Sequence, residues 1–190
     1  MEFGFSSLNP AETVAEVIAE INQPYIVIVL GTSWESKNWN YEGYVGLIQR
    51  ILADRTLKVV LVGDSSQSTL AATLTEKFQT SDVLDRVGRT SLVQLAALLK
   101  AAAVGVGPDS GPGHVAAAVK TPFVTLFGPT SPQRTAPFGN HHLAVDAGSS
   151  CAPGYKKRCA DRNKQCMNSI HPDAVMEKVA IALTMEMPEE

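Results

Sequence analysis

Five short apolar runs, each followed by a turn carrying glycine and hydroxyl or charged groups, constrain this chain more than any other feature. They fall at 25–30, 58–62, 83–84, 103–106 and 122–126. Continuous apolar runs of this length, rich in β-branched residues, suit strands covered on both faces. Helix-like segments separate them: about 41–53, about 67–78, 91–100 with Ser91 as cap, and 113–119. Strand–helix alternation of this kind predicts an α/β fold, a Rossmann-like parallel sheet with helices on both faces. Residues 142–145 read as an added edge strand, and Pro172 opens a last helix that turns Val175, Val179 and Leu183 inward. On the helix at 91–100, Leu92, Leu95, Ala96 and Leu99 share the inward face.

The front of the chain reads differently. Asn9, Pro10 and Glu12 form a helix start, and Val14, Val17, Ile18 and Ile21 follow at helical spacing until Pro24. They are therefore expected to form an amphipathic helix with one buried face, stopped by Pro24 ahead of the first strand.

In parallel sheets of this type ligands bind at the carboxyl ends of the strands. The turns there are Gly31-Thr32-Ser33 with Lys37 nearby, Gly63-Asp64-Ser65-Ser66-Gln67, Gly88-Arg89-Thr90, Gly107-Pro108-Asp109-Ser110-Gly111, and Phe127-Gly128-Pro129-Thr130. All five are expected to converge on one edge. Ser110 and Gly111 open a helix, where bare N–H groups and a hydroxyl suit a phosphate. The plainer alternative is that Asp109 or Ser110 only caps that helix. A carboxylate beside a diphosphate repels it, so Asp109 is expected to hold sugar hydroxyls or the turn itself. His114, one turn into the helix, either meets the ligand or packs. Lys37, in a loop with Trp34 and Trp39, is placed to neutralise a diphosphate leaving group, or is a solvated surface lysine.

Other classes lose support. The net charge of −3 and the lack of a basic stripe argue against a nucleic-acid partner. No apolar run reaches bilayer length, and no secretory signal pattern opens the chain. No Gly-x-x-x-x-Gly-Lys-[Ser/Thr] and no Asp-x-Asp occurs, which speaks against a P-loop NTPase and a carboxylate-held Mg²⁺. Gly105-Val-Gly107 fails the dinucleotide fingerprint because position 110 is serine. Cys151, Cys159 and Cys166 lie in a basic loop with His171 beyond it, at spacings of eight, seven and five. They are either a Cys3His zinc site or ordinary thiols, and spacings this wide favour thiols.

Several motifs then stand together in one order: Gly31-Thr32-Ser33 with Lys37-Asn38-Trp39; Gly107-Pro-Asp109-Ser110-Gly111-x-x-His114; Phe127-Gly128-Pro129-Thr130-x-Pro132; and Cys151-Ala-Pro153 through Cys159 to Cys166-Met167. Over about residues 25–185 the chain resembles the C-terminal half of the family 9 glycosyltransferases, the ADP-heptose:lipopolysaccharide heptosyltransferases. The resemblance implies half of a GT-B enzyme that binds a nucleotide-diphospho-sugar for inverting, metal-independent transfer, with no cofactor. It implies that Thr32, Ser33 and Lys37 hold the diphosphate and that Ser110 and Gly111 bind phosphate. Asp109 and His114 would face the sugar, Thr90 the base, and Gln67 the ribose hydroxyls, where the family carries Glu. Gly154 stands where the family often has a further cysteine, and residues 1–24 resemble only the family's connecting segment and lead-in helix, with 25–190 as the nucleotide-sugar-binding domain. The acceptor-binding domain with the catalytic base is expected to lie outside these 190 residues, so the isolated half is expected to bind donor without transferring it. The implied partners are a nucleotide sugar and, through that other domain, a lipid or saccharide acceptor. The expected location is the cytoplasm, with peripheral association at the inner membrane face left open. A sugar-nucleotide epimerase half and a non-catalytic nucleotide-sugar-binding or interaction module are the competing readings.

Overall fold

The structure, a computed structural model, describes residues 15, 16, 18, 19, 21–159 and 165–185. Its frame is set by strand β1, Tyr25–Val29, all of whose residues are buried. Alternate residues of β1 enter opposite cores. Ile26 and Ile28 join a cluster with Leu47, Ile48, Leu74, Val175 and Val179, while Tyr25, Val27 and Val29 join one with Ile21, Leu98, Leu99 and Ala116. A strand apolar on both faces needs cover on both, and the intervening helices supply it.

The other strands are β2 (Lys58–Val62), β3 (Val83–Asp85), β4 (Val104–Pro108), β5 (Phe123–Phe127) and β6 (Ala144–Asp146). All pair in parallel in the order β3-β2-β1-β4-β5-β6. The helices are α1 (Tyr41–Ala53), α2 (Ser68–Phe78), α3 (Leu92–Ala101), α4 (Gly111–Ala118), α5 (Pro132–Thr135), α6 (Gln165–Asn168) and α7 (Pro172–Leu183). Residues of α1, α2 and α7 pack on one face of the sheet and those of α3 and α4 on the other. Ala15, Glu16, Ile18, Ala19 and Ile21 are helical, as expected of the lead-in helix. Asn9, Pro10, Glu12, Val14 and Val17 lie outside the described residues.

The α/β expectation holds, with corrections of detail. Strand β4 runs on through Gly107 and Pro108 because both pair with β5, opposite Thr125 and Leu126. Helix α4 begins at Gly111, not Gly113, since Pro112 fits a first helical turn. Residues 65–67 form a 3-10 turn ahead of α2. Strand β6 starts at Ala144 after a 3-10 turn over His141–Leu143. The helix over 91–100 does begin on a Ser91 capping box with Gln94. Its first residue is not inward, however: Leu92 is 68% exposed. In α7 the third inward position is Ala182, while Leu183 is exposed.

Candidate functional site

The sheet order fixes where a crevice opens. The chain leaving β1 goes to β2 on one side, and the chain leaving β4 goes to β5 on the other. Between β1 and β4 the connections diverge, which is where parallel α/β sheets accept ligands. A pocket of about 410 Å³ lies there, walled by Gly31, Thr32, Ser33, Trp34 and Lys37 after β1, Asp64 after β2, and Asp109 to Pro112 after β4. All five strand ends share the edge, but only three of their turns build this pocket. The turns after β3 and β5 stand apart from it.

The β1 turn is held by its own polar groups. Gly31 has φ +86°, and a Cβ there would stand 2.8 Å from the Gln67 side chain. The Thr32 N–H donates to Asn38 Oδ1 at 2.7 Å, and the Trp34 N–H donates to Thr32 Oγ1 at 2.8 Å. The Thr32 hydroxyl thus organises the loop. Behind it, the Ser36 hydroxyl donates to the Lys156 carbonyl. A 3-10 turn over Glu35–Lys37 then brings Lys37 back across the crevice. Its Nζ donates to Asp109 Oδ2 at 2.8 Å and to the Asp109 carbonyl at 3.0 Å, and lies 4.7 Å from the Trp34 ring centroid.

Asp109 is the hub of this arrangement. It is 4% exposed, and its carboxylate also accepts from Thr135 Oγ1 at 3.1 Å. Its side-chain bonds run to Lys37 in the loop after β1 and to Thr135 on α5, and so tie the turn after β4 to both. Lys37 is neither a solvated lysine nor a free point charge, because its side chain is 14% exposed and ion-paired.

Next to this pair the N-terminus of α4 is open. Ser110 is its N-cap, yet the hydroxyl makes no capping bond and donates to the Pro108 carbonyl at 2.9 Å. The first turn carries no acidic residue. A Cβ on Gly111 would meet nothing within 4 Å. The Gly111 N–H, at the first helical position, has no intrahelical acceptor. An anion can therefore approach the positive end of α4 with Lys37 beside it. The second carboxylate in the wall, Asp64, is bound back to its own turn through the Ser66 N–H at 2.8 Å and the Ser66 hydroxyl.

The pocket brings together Thr32, Ser33, Lys37, Asp109, Ser110 and Gly111. It does not include Gln67, Thr90 or His114. Gln67 packs behind Gly31 and donates to Ser66 Oγ at 3.1 Å. Thr90 is half-buried in the loop before α3, and His114 is exposed on α4. Sequence reasoning missed Trp34, Asn38, Asp64 and Thr135 as parts of the site. Trp34 and Asn38, in the loop with Lys37, and Asp64, in the turn after β2, carried a signal in their positions; Thr135 carried none.

The cysteines form a separate feature. Cys151, Cys159 and Cys166 line a cavity of about 200 Å³ with Pro129, Lys156 and Arg158 among its other walls. Burial pushes the Cys166 thiol up, and the two neighbouring cysteines add to that. His171 is elsewhere, as the cap of α7, its Nδ1 accepting from the Asp173 N–H at 3.3 Å. The Cys3His set is thus not assembled, and among the described residues no three His, Cys, Asp or Glu side chains are grouped to hold a metal ion. Among the described residues no helix is long and apolar enough to cross a membrane.

The chain and its fold have known relatives. Residues 5–165 match the profile of Glycosyltransferase family 9 (heptosyltransferase). Lipopolysaccharide heptosyltransferase 1 of Pseudomonas aeruginosa is 34% identical over 142 residues, covering 74% of this chain and 39% of that protein. The structure of Escherichia coli ADP-heptose lipopolysaccharide heptosyltransferase II superposes with a TM-score of 0.71 at 25% identity, over 94% of this chain and 52% of that one. The E. coli heptosyltransferase WaaC with ADP-2-deoxy-2-fluoro heptose superposes with a TM-score of 0.63 at 26% identity, over 84% of this chain and 43% of that one. The chain spans about half or less of the length of these relatives.

Proposed function

The chain belongs to glycosyltransferase family 9, and from that premise we propose that it is the donor-binding half of a heptosyltransferase-like enzyme that takes an ADP-sugar at the β1/β4 pocket. The observation that carries this reading is the open N-terminus of α4 facing Lys37 across the crevice. In this reading residues 25–190 are the nucleotide-sugar domain and 1–24 lead into it. A diphosphate rests on the Gly111 N–H and the α4 dipole, with Ser33 and Ser110 at its rim. Lys37 divides its charge between Asp109 and the phosphate. Gln67, behind Gly31, supports the turn against which the ribose lies. The related E. coli enzyme solved with an ADP-heptose analogue supports the adenine nucleotide.

Transfer then proceeds with inversion. The acceptor hydroxyl attacks the anomeric carbon as the C–O bond to the diphosphate breaks, and the nucleotide leaves with the electron pair. Charge developing on that diphosphate is met by α4 and Lys37, groups fixed before the reaction begins. The hydroxyl's proton goes to a base on the other half of the enzyme, which also binds a lipopolysaccharide-type acceptor at the cytoplasmic membrane face. Neither the epimerase half nor the non-catalytic module gains an observation of its own.

Calorimetry with ADP, UDP and GDP tests the proposal. ADP is expected to bind most tightly, and Lys37→Ala to weaken it about tenfold or more, roughly 1.4 kcal/mol. No heat from any of the three, with the fold intact by circular dichroism, would refute the reading.

A further inference from the structure

Behind the Lys37 turn lies the cavity of about 200 Å³ that Cys151, Cys159 and Cys166 share, and donor binding makes no use of it. All three thiols are free, and they differ in access: Cys151 is exposed, Cys159 half-buried and Cys166 buried. Lys156 and Arg158 stand on the same wall, which holds no carboxylate among the described residues. There is room beside the exposed thiol, because a Cβ on Gly154 would meet only the Cys151 carbonyl, at 3.5 Å. The Cys151 Sγ makes a weak hydrogen bond with Ser149 Oγ at 3.2 Å, so the sulfur is placed but not covered.

One residue joins this cavity to the donor pocket. Ser36 is 3% exposed and stands on the cavity wall, and it is also the middle residue of the 3-10 turn that carries Lys37. Its hydroxyl donates to the Lys156 carbonyl, and its N–H donates to the Lys157 carbonyl at 3.1 Å. The cysteine loop is therefore the seat of the Lys37 turn. A shift of the loop backbone at Lys156 and Lys157 moves the residue next to Lys37. On its other side the loop is tied to the end of β5, where the Tyr155 N–H donates to the Pro129 carbonyl at 2.9 Å.

We propose that Cys151 is a thiol-exchange site for a small acidic disulfide, and that its adduct weakens nucleotide binding by displacing the Lys156 and Lys157 carbonyls from Ser36. The second part rests on the donor-binding reading. The Cys151 thiolate attacks one sulfur of the reagent. A bond forms between that sulfur and Cys151 as the reagent's own disulfide bond breaks. The other half leaves as a thiolate and takes up the proton that Cys151 released. Cys151 is oxidised and the departing half reduced, so no further oxidant is needed. Lys156 and Arg158 hold the carboxylates of the half that stays. Cys166, buried and with its thiol pushed up by that burial, remains a wall of the cavity.

Oxidised glutathione, an acidic disulfide, is the probe. Mass spectrometry of the full chain is expected to find one glutathionyl group, on the peptide that holds Cys151, and none in Cys151→Ser. A neutral disulfide, oxidised 2-mercaptoethanol, is expected to react several-fold more slowly. Calorimetry is then expected to show ADP binding about fivefold more weakly to the modified chain, the range of one or two hydrogen bonds, with the fold intact by circular dichroism. Coupling between sites is reciprocal. Saturating ADP is therefore expected to lower the equilibrium constant for the adduct by the same factor at a fixed ratio of reduced to oxidised glutathione. Ser36→Ala removes the hydroxyl link and is expected to narrow the gap in ADP affinity between modified and unmodified chains. An adduct on Cys159 or an internal disulfide in place of the Cys151 adduct would overturn the proposal. So would equal rates for the two disulfides, or equal ADP affinity for modified and unmodified chains. Failure of ADP to bind the unmodified chain would instead overturn the donor reading, and the Cys151 adduct would stand or fall on the mass spectrum.

Discussion

At the residue scale, the site turns on how tightly Asp109 holds Lys37. A lysine wholly committed to a carboxylate has little attraction left for a phosphate. The Thr135 hydroxyl shares that carboxylate with Lys37, at 3.1 Å against 2.8 Å, and so loosens the ion pair. Thr135→Val is expected to weaken ADP binding by a few-fold, since one hydrogen bond contributes roughly 0.5–1.5 kcal/mol. Thr135→Ser, which keeps the hydroxyl, is expected to restore it. Calorimetry reads both, and equal affinities for Val and wild type would contradict this role. Lys37, Ser110 and Gly111 were legible in the sequence because their types and their place after strands suit a phosphate, and Asp109 by its place at a strand end alone. Thr135 was not legible, because it reaches Asp109 only after the chain has crossed β5 and begun α5. Nor does sequence say that the Thr32 hydroxyl turns into its own loop, where it accepts from the Trp34 N–H two residues on.

At the element scale, the long elements were readable because apolar period and caps agree. The Ser91 box, Pro172 at the start of α7 and the buried run of β1 are cases where local chemistry and tertiary packing ask for the same thing. The short strands β3 and β6 were read, but the shortest helices were not. Helix α5 and helix α6 are too brief to show a period, and the extent of β4 depends on a partner strand. Leu92 and Leu183 show a further limit: helical spacing does not reveal where the neighbouring surface ends. Helix α7 also carries a charge that ties it to α1. Asp173, exposed on α7, is held below the usual carboxylate range, first by the hydrogen bond from Arg50 on α1. A lowered folded-state value means the contribution is present above the unfolded carboxylate pKa of about 4 and is lost as pH falls through the lowered one. Arg50→Ala is therefore expected to melt below wild type at pH 7, with the gap closing as pH falls below the ordinary carboxylate range. A gap that stays constant in thermal melts over that range would show that the pair adds nothing pH-dependent.

At the scale of the whole molecule, strand order decides which turns meet, and strand order is not written in any local segment. Five turns pointed to one edge, yet β1 lies between β2 and β4, so only the turns after those three strands build the pocket. Exposed apolar side chains remain elsewhere, with Leu92 and Val93 at 68% and 61% at the start of α3, and Phe138 at 93%. The central claim, that a nucleotide diphosphate sits on the N-terminus of α4, has its most direct test in ADP titration of Gly111→Ala beside wild type. A Cβ at this position meets no protein atom within 4 Å, and alanine is the better helix residue by up to roughly 1 kcal/mol. The variant is thus expected to melt at or above the wild-type temperature while binding ADP about tenfold or more weakly, roughly 1.4 kcal/mol. An undiminished affinity for ADP in that folded variant would contradict the account.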